Sequence, residues 1–341
     1  MGRWHQRGLS AIIVVLCHIA VTIDGVGILS SYRPLVLHNF WDGNFAVHVF
    51  IILSTILTCH GIAQHRAELI TRYRYLVLKR YFRLLIPVGT IIMMMYIANL
   101  IGLFYAEEYG TKTGNQWLTG ITETLIHLPG TILFAPLGGG YTVLRVAWML
   151  RYVCLGTMWV IILDLLLSER QPKSQIILLL LCTYIAWKID FYYVNVIVGY
   201  TLYLYKDNIL SSHLYIKLLQ AVIILFLFIL SDMYVQNEQG NMLRAIVVVS
   251  MVIIIKPVQS AFSWYPAVWL GKISMNIYLL QLLVIYSITC RMANSLPRSI
   301  LYNSLMYVVT LSTIIIIAFL FTKYIEPTLN KITDRLLVHL N

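Results

Sequence analysis

Residues 45–63 read FAVHVFIILSTILTCHGIA, a run of nineteen residues without a single Asp, Glu, Lys or Arg. At about 1.5 Å per residue, a helix of this length reaches across the ~30 Å hydrocarbon core of a bilayer. The whole chain shares this character, since 60% of its 341 residues are hydrophobic, only 11% are charged and the mean hydropathy is +0.79. Soluble domains carry roughly 25% charged residues, so we expect the bilayer to be part of the solvent of this chain.

Apolar stretches of similar character predict an all-α membrane bundle of about ten transmembrane helices. The candidate spans are 9–29, 45–63, 84–104, 144–167, 175–190, 191–206, 216–234, 242–257, 268–290 and 301–324. The segment 118–137 is broken by Pro129, Gly130 and Pro136, so we expect a re-entrant or interfacial piece, with an eleventh span left open. The first run lacks a small-residue cleavage site and is interpreted as a retained helix.

The distribution of cations predicts the orientation. With both termini cytoplasmic, seventeen of the 25 Lys and Arg residues fall inside and six fall outside, as the positive-inside rule requires. The net charge of +11 is then explained by topology, and nucleic acid is not expected as a partner. We expect residues 1–341 to form a single membrane domain with no appended soluble domain. The expected location is the cytoplasmic (inner) or plasma membrane of a bacterium, with self-association left open.

Arg7 and His18 are the most notable polar residues of the first span. Eleven helical residues make about three turns, so both side chains share one face and lie ~16 Å apart along the axis. Ionisable groups within a bilayer are costly and are candidates for function. An imidazole there is suited to act as a general base, while the alternative is a histidine that only links helices. A metal site with His48 and His60 is not expected, because no carboxylate completes a ligand motif.

The loop before the third span is the most basic part of the chain. It contains Arg72, Arg74, Arg80 and Arg83 among tyrosines. Guanidinium groups bind phosphate oxygens in a bidentate manner, so a cytoplasmic site for a polyphosphate-bearing cofactor is one interpretation. Anchoring to anionic lipid is the other. The tyrosines of 191–205 are explained by an interfacial belt, with stacking on sugar as an alternative.

Several motifs occur in an order that resembles the acyltransferase-3 family of integral membrane acyltransferases. They are Arg-x10-His at Arg7 and His18, KRYFRLLIP with Arg80, Arg83 and Pro87, Trp148 in VAWMLRYVCLGTM, WLGKISMNIYLLQ at 269–281, and YIEPTLNKI at 324–332. The chain departs from the family pattern at Thr55, Val153 and Gln281. Gln281 stands where the family usually has a histidine.

The resemblance implies an enzyme that moves an acyl group, most often acetyl, from acetyl-CoA to a hydroxyl of a cell-surface or lipid-linked glycan. It implies His18 as general base or acyl relay, Arg7 near the cofactor entrance, and Arg80 and Arg83, with Arg72 and Arg74, as ligands of the coenzyme A phosphates. No metal is implied. The pantetheine arm is comparable in length with the ~16 Å separation of Arg7 and His18.

Two other functions remain open at this point. A transporter or flippase of a lipid-linked saccharide also has around ten helices, although such proteins usually contain internal repeats and none is found here. A transferase of the same family that uses succinyl or another acyl group is the second alternative.

Overall fold

The computed structural model describes residues 5–24, 42–64, 69–121, 125–138, 144–167, 170–206, 237–254, 264–297 and 299–338, and every regular element in these ranges is helical. The helices are α1 (His5–Asp24), α2 (Gly43–Ala63), α3 (Leu69–Leu100), α4 (Ala106–Thr113), α5 (Leu128–Phe134), α6 (Leu150–Leu167), α7 (Pro172–Ile189), α8 (Val194–Leu204), α9 (Glu238–Ile254), α10 (Tyr265–Val284), α11 (Cys290–Ser295), α12 (Ile300–Leu320) and α13 (Glu326–Val338). Short 3-10 turns lie at Gln116–Leu118, Ala135–Leu137, Arg145–Met149 and Phe191–Tyr193, and π-helical turns at Ile285–Thr289 and Phe321–Ile325.

Five helical segments of the described chain are long and apolar enough to cross a membrane: Gly43–Ala63, Tyr73–Leu100, Arg145–Leu167, Tyr265–Ser295 and Ile300–Leu337. Shorter helices occupy the candidate spans 9–29, 175–190, 191–206 and 242–257, while 216–234 lies outside the described residues. The all-α prediction is confirmed for the described ranges. Ten spans and cytoplasmic termini remain predictions.

The bounds of one span differ from the sequence prediction. The span expected at 84–104 is part of a 32-residue helix, α3, which begins at Leu69 and ends at Leu100. It ends there because Gly102 takes a positive φ of 73°, and the Leu103 amide donates to the Ala98 carbonyl at 2.9 Å. Within 118–137, the described residues form only a seven-residue helix and short turns. These pieces are too short for an eleventh span.

The chain divides into two compact units. Unit 1 comprises Met1–Ser10, Asn44–Arg80 and Tyr152–Gly271, and unit 2 comprises Ala11–Gly43, Tyr81–Arg151 and Lys272–Asn341. Helices α1, α2, α3, α6 and α10 each contribute residues to both units.

In unit 1, α2 is largely buried. One face of α2 contributes Phe45, Val49, Ile52, Leu53 and Ile56 to a core that Ala245 and Val249 of α9 complete. Gly199 of α8 lies so close that a Cβ there would sit 2.7 Å from the Thr55 Cβ. Small residues allow helices to approach closely in membranes, so Gly199 provides the space that Thr55 occupies.

In unit 2, polar contacts join α10 to the end of the chain. The Asn276 carboxamide donates to the Thr322 hydroxyl and to a Glu326 carboxylate oxygen, both at 2.7 Å. Helix α12 presents large apolar side chains to the outside, among them Leu301, Leu305, Val308, Ile316 and Leu320. An exposed apolar surface of this kind is typical of a helix that faces lipid, in agreement with a membrane protein.

Candidate active site

The His18 side chain lies in unit 2, six residues before the end of α1. Its Nδ1 is 2.9 Å from the carboxamide oxygen of Gln281 in α10, a fully buried side chain. In the sequence, Gln281 is notable only because it stands where the acyltransferase-3 pattern, which this chain resembles, has a histidine. The structure places it as the hydrogen-bond partner of the predicted catalytic histidine.

The hydrogen bonds of Gln281 determine the tautomer of His18. The Gln281 Nε2 donates to the Tyr278 carbonyl at 2.9 Å, so the amide nitrogen faces that carbonyl and the amide oxygen faces His18. A carboxamide oxygen can only accept. The Nδ1 of neutral His18 therefore carries the hydrogen, and Nε2 carries the lone pair. Among the described residues, Nδ1 forms the only hydrogen bond of the His18 ring. Nε2 is thus the atom that is ready to take a proton.

The indole of Trp117 stacks on the His18 ring, with the ring centroids 5.2 Å apart and the planes 20° apart. Trp117 belongs to the 3-10 turn that precedes the Pro- and Gly-broken segment. Asn115 caps this turn by accepting from the Trp117 amide at 3.1 Å, and its Nδ2 donates to the Val21 carbonyl of α1 at 2.9 Å. The guanidinium of Arg145 donates to the Thr119 carbonyl. The turn is therefore fixed from both sides and holds the indole against His18.

Tyr286 contacts the same indole at a centroid distance of 6.1 Å and an interplanar angle of 64°. It lies in the π-helical turn that follows α10. In a π turn the regular helical hydrogen bonding is interrupted, and the Tyr286 carbonyl instead accepts from the Tyr105 amide at 2.9 Å. The Phe104 ring packs edge-on against Tyr286. This part of the site is thus built around Trp117 and includes a tyrosine that the sequence analysis did not single out.

The predicted phosphate ligands lie on α3, and Arg7 lies on α1. Arg74 is exposed and its Nε donates to the Tyr73 hydroxyl at 3.1 Å. Arg80 is half-buried, and Arg83 is exposed with a nitrogen 3.6 Å from an Asp334 carboxylate oxygen. The side chains of Arg72 and Arg7 are not among those that the structure describes. The continuous helix α1 does confirm that Arg7 and His18 belong to one helix, as their spacing predicted.

His48 lies in unit 1, in a separate cluster. It is fully buried, stacks on Tyr192 at 4.8 Å and approaches the Asn195 carboxamide nitrogen at 2.7 Å. Tyr152 packs on Tyr192 at 5.1 Å. The Tyr192 ring thus contacts both His48 and Tyr152. No group of three His, Cys, Asp or Glu side chains suited to a metal ion is found in the part of the chain that the structure describes.

Sequence reasoning identified His18 but could not identify Trp117 or Tyr286 as its surroundings. Both lie more than 90 residues from His18 in the chain, and aromatic residues are abundant here, with 8 Trp and 23 Tyr. The one available signal was Gln281, a polar side chain within an apolar helix.

The site places a neutral imidazole with a free lone pair against an indole, close to a buried phenol. This arrangement can abstract a proton and exclude water from the reacting atoms. In comparisons with known proteins, no protein-family model, no curated protein and no solved structure matches this chain.

Proposed function

We propose that the chain is a membrane-bound O-acyltransferase that moves an acyl group, in the first place acetyl, from cytoplasmic acyl-CoA to a hydroxyl of a cell-surface or lipid-linked saccharide. The single observation that carries the proposal is the state of His18. Its Nδ1 donates a hydrogen bond to the Gln281 carboxamide oxygen at 2.9 Å. Its Nε2 keeps a lone pair that can accept a proton, although His18 belongs to an apolar helix. A histidine that only linked helices would be expected to use both ring nitrogens.

The acyl donor is inferred from the charges on α3 and from the motif resemblance. The guanidinium groups of Arg74 and Arg83 are exposed, and Arg80 lies one helical turn before Arg83. Guanidinium groups are well suited to the phosphates of coenzyme A. Arg83 already pairs with an anion, since one of its nitrogens lies 3.6 Å from an Asp334 carboxylate oxygen. This supports the view that the middle of α3 attracts negative groups.

In the proposed reaction, His18 is the only residue that accepts and returns a proton. The acceptor hydroxyl loses its proton to Nε2 as its oxygen attacks the thioester carbonyl carbon, and the C–S bond then breaks. The coenzyme A thiolate leaves and takes the proton back from Nε2. The products are an O-acyl ester and the free thiol of coenzyme A. The Trp117 ring holds the imidazole plane through both proton transfers.

Replacing His18 with Ala tests this proposal, and His60→Ala is the matched control because His60 is an exposed histidine of α2. Purified membranes would be supplied with acetyl-labelled acetyl-CoA and saccharide acceptor, and the initial rate normalised to the amount of protein. We expect a fall of roughly 10²- to 10⁴-fold for His18→Ala, the usual contribution of a general base, and no change for His60→Ala.

Transfer that survives in His18→Ala would contradict the catalytic role of this residue. A chain that transfers no acyl group but is required for saccharide to cross the membrane would contradict the enzyme class and favour a transporter.

A further inference from the structure

Tyr286 holds a buried hydroxyl beside the His18 site. The side chain is fully buried, and its hydroxyl has no hydrogen-bond partner among the described residues. Buried hydroxyls are nearly always paired, because an unpaired one destabilises the folded chain. An unpaired one whose ring contacts the same indole as a reactive histidine therefore suggests a partner that arrives with the substrate.

The backbone fixes where this hydroxyl lies. The π-helical turn Ile285–Thr289 interrupts the helix after α10, and insertions of this type are frequent at functional sites. Two contacts hold the turn: the Tyr105 amide donates to the Tyr286 carbonyl at 2.9 Å, and the Thr289 and Thr310 hydroxyls are 2.8 Å apart. The Tyr286 ring is also held against Trp117, whose indole stacks on His18. Base and phenol thus contact the same indole.

A second donor without a partner lies in the same part of unit 2. The Nε of Arg145 is buried and has no hydrogen-bond partner in the described chain. The same guanidinium donates to the Thr119 carbonyl, two residues after the Trp117 indole that contacts Tyr286. Both unpaired groups can donate hydrogen bonds. Their surroundings therefore suit a ligand oxygen that is neutral or becomes negative, as a carbonyl oxygen does when it is attacked.

We propose that Tyr286 is a further catalytic residue, whose hydroxyl donates a hydrogen bond to the carbonyl oxygen of the acyl donor as this oxygen becomes negative. This inference rests on the proposed acyl transfer. As the acceptor oxygen bonds to the carbonyl carbon, the acceptor proton moves to His18 Nε2 and the C=O electron pair moves to the carbonyl oxygen. Tyr286 stabilises that oxyanion. When the oxyanion collapses, the C–S bond breaks, and the thiolate takes the proton from His18.

Tyr286→Phe tests the proposal, because it removes only the hydroxyl. We expect kcat to fall roughly 100- to 1,000-fold, as for loss of one oxyanion donor, with the KM for acetyl-CoA unchanged. The thermal midpoint should not fall, since no hydrogen bond within the chain is lost. The matched control is Tyr200→Phe in unit 1, a buried tyrosine whose hydroxyl donates to the Leu163 carbonyl at 3.3 Å. We expect this variant to have a lower thermal midpoint and an unchanged kcat.

The outcomes separate this inference from the proposed function. If His18 is required for transfer and Tyr286→Phe keeps its kcat, Tyr286 has no catalytic role. The same conclusion follows if kcat and the thermal midpoint of Tyr286→Phe fall together, because packing then explains the loss. If the unmodified protein shows no transfer that depends on His18, the acyltransferase proposal itself is wrong and the oxyanion role is overturned with it.

Discussion

The hydrogen bond between His18 and Gln281 gives a quantitative prediction for the variant Gln281→Leu. Leucine has a similar size but can neither accept from His18 Nδ1 nor donate to the Tyr278 carbonyl, and both hydrogen bonds are 2.9 Å long. The variant therefore removes the group that holds the imidazole in one tautomer and one orientation. It leaves Nε2 and the Trp117 stacking partner in place.

The magnitude follows from the value of one hydrogen bond. A neutral hydrogen bond contributes about 1 kcal/mol net, within a range of roughly 0.5–1.5 kcal/mol. If that free energy is what favours the reactive tautomer and orientation, its loss lowers kcat by about fivefold, and by roughly two- to thirteenfold over that range, since 1.36 kcal/mol corresponds to a factor of ten. This is far less than the roughly 10²- to 10⁴-fold loss expected for removing the base. The free energy of unfolding should fall by about 1–3 kcal/mol, because buried groups lose their partners.

The assay is a double-mutant cycle. Initial rates of acetyl transfer would be measured for the unmodified protein, Gln281→Leu, His18→Ala and the double variant, normalised to protein inserted in the membrane. Because Gln281 acts through His18, we expect Gln281→Leu to have no effect once His18 is alanine. Equal effects of Gln281→Leu in both backgrounds would refute this reasoning, and so would an unchanged kcat in the presence of His18.

Gln175→Leu is the control for general damage. Gln175 is also buried, its Nε2 donates to the Leu167 carbonyl at 2.9 Å and its oxygen accepts from the Tyr205 hydroxyl at 3.2 Å. Its replacement removes the same number of hydrogen bonds in unit 1. We expect a similar loss of stability and no change in kcat. A kcat that fell equally in both glutamine variants would show that destabilisation, rather than the orientation of His18, lowers the rate.

Two further predictions concern the proposed coenzyme A phosphate ligand Arg83 and the packing of unit 1. Replacing Arg83 with Gln should raise the KM for acetyl-CoA roughly 10- to 160-fold, since a charge-assisted hydrogen bond is worth about 1.5–3 kcal/mol and 1.36 kcal/mol corresponds to a factor of ten. Asp334→Asn should lower this KM by freeing the guanidinium. Unchanged KM values in both variants would exclude a phosphate role. The half-exposed ion pair itself contributes at most about 1 kcal/mol, so both variants should fold. Gly199→Ala should lower stability by about 1–3 kcal/mol, because the new Cβ would lie 2.7 Å from the Thr55 Cβ and 2.8 Å from the Ile52 carbonyl oxygen. Thermal unfolding measures this loss, and an unchanged midpoint would show that the close approach of α8 to α2 does not limit stability.

The bounds of a helix were predictable where the whole helix is apolar. The uncharged run 45–63 forms α2 almost to the residue. The apolar composition did not predict the start of α3, which lies fifteen residues before the expected span. An apolar window detects the part of a helix that fits in lipid, but it cannot detect the amphipathic turns through which the same helix continues.

The candidate site was predictable only along a single helix. The Arg7–His18 spacing follows from helix geometry and needs no partner. Gln281 is 263 residues from His18 in the chain, and no local pattern connects residues so far apart. Trp117 was missed for a related reason: its position depends on the cap by Asn115 and on the clamp by Arg145, two tertiary contacts that periodicity does not encode.

The carboxamide of Gln281 has a physical consequence for the proposed reaction. A carboxylate at this fully buried position would hold the same tautomer and would stabilise the imidazolium, but burying its charge costs several kcal/mol before any substrate binds. The carboxamide oxygen orients the ring without that cost, and it offers only a dipole to the imidazolium. In the proposed reaction, we therefore expect the protonated state of His18 to be short-lived and its proton to pass quickly to a new acceptor. The departing thiolate of coenzyme A is such an acceptor. A neutral partner for His18 thus fits direct transfer, in which one histidine takes and returns a proton within a single catalytic step.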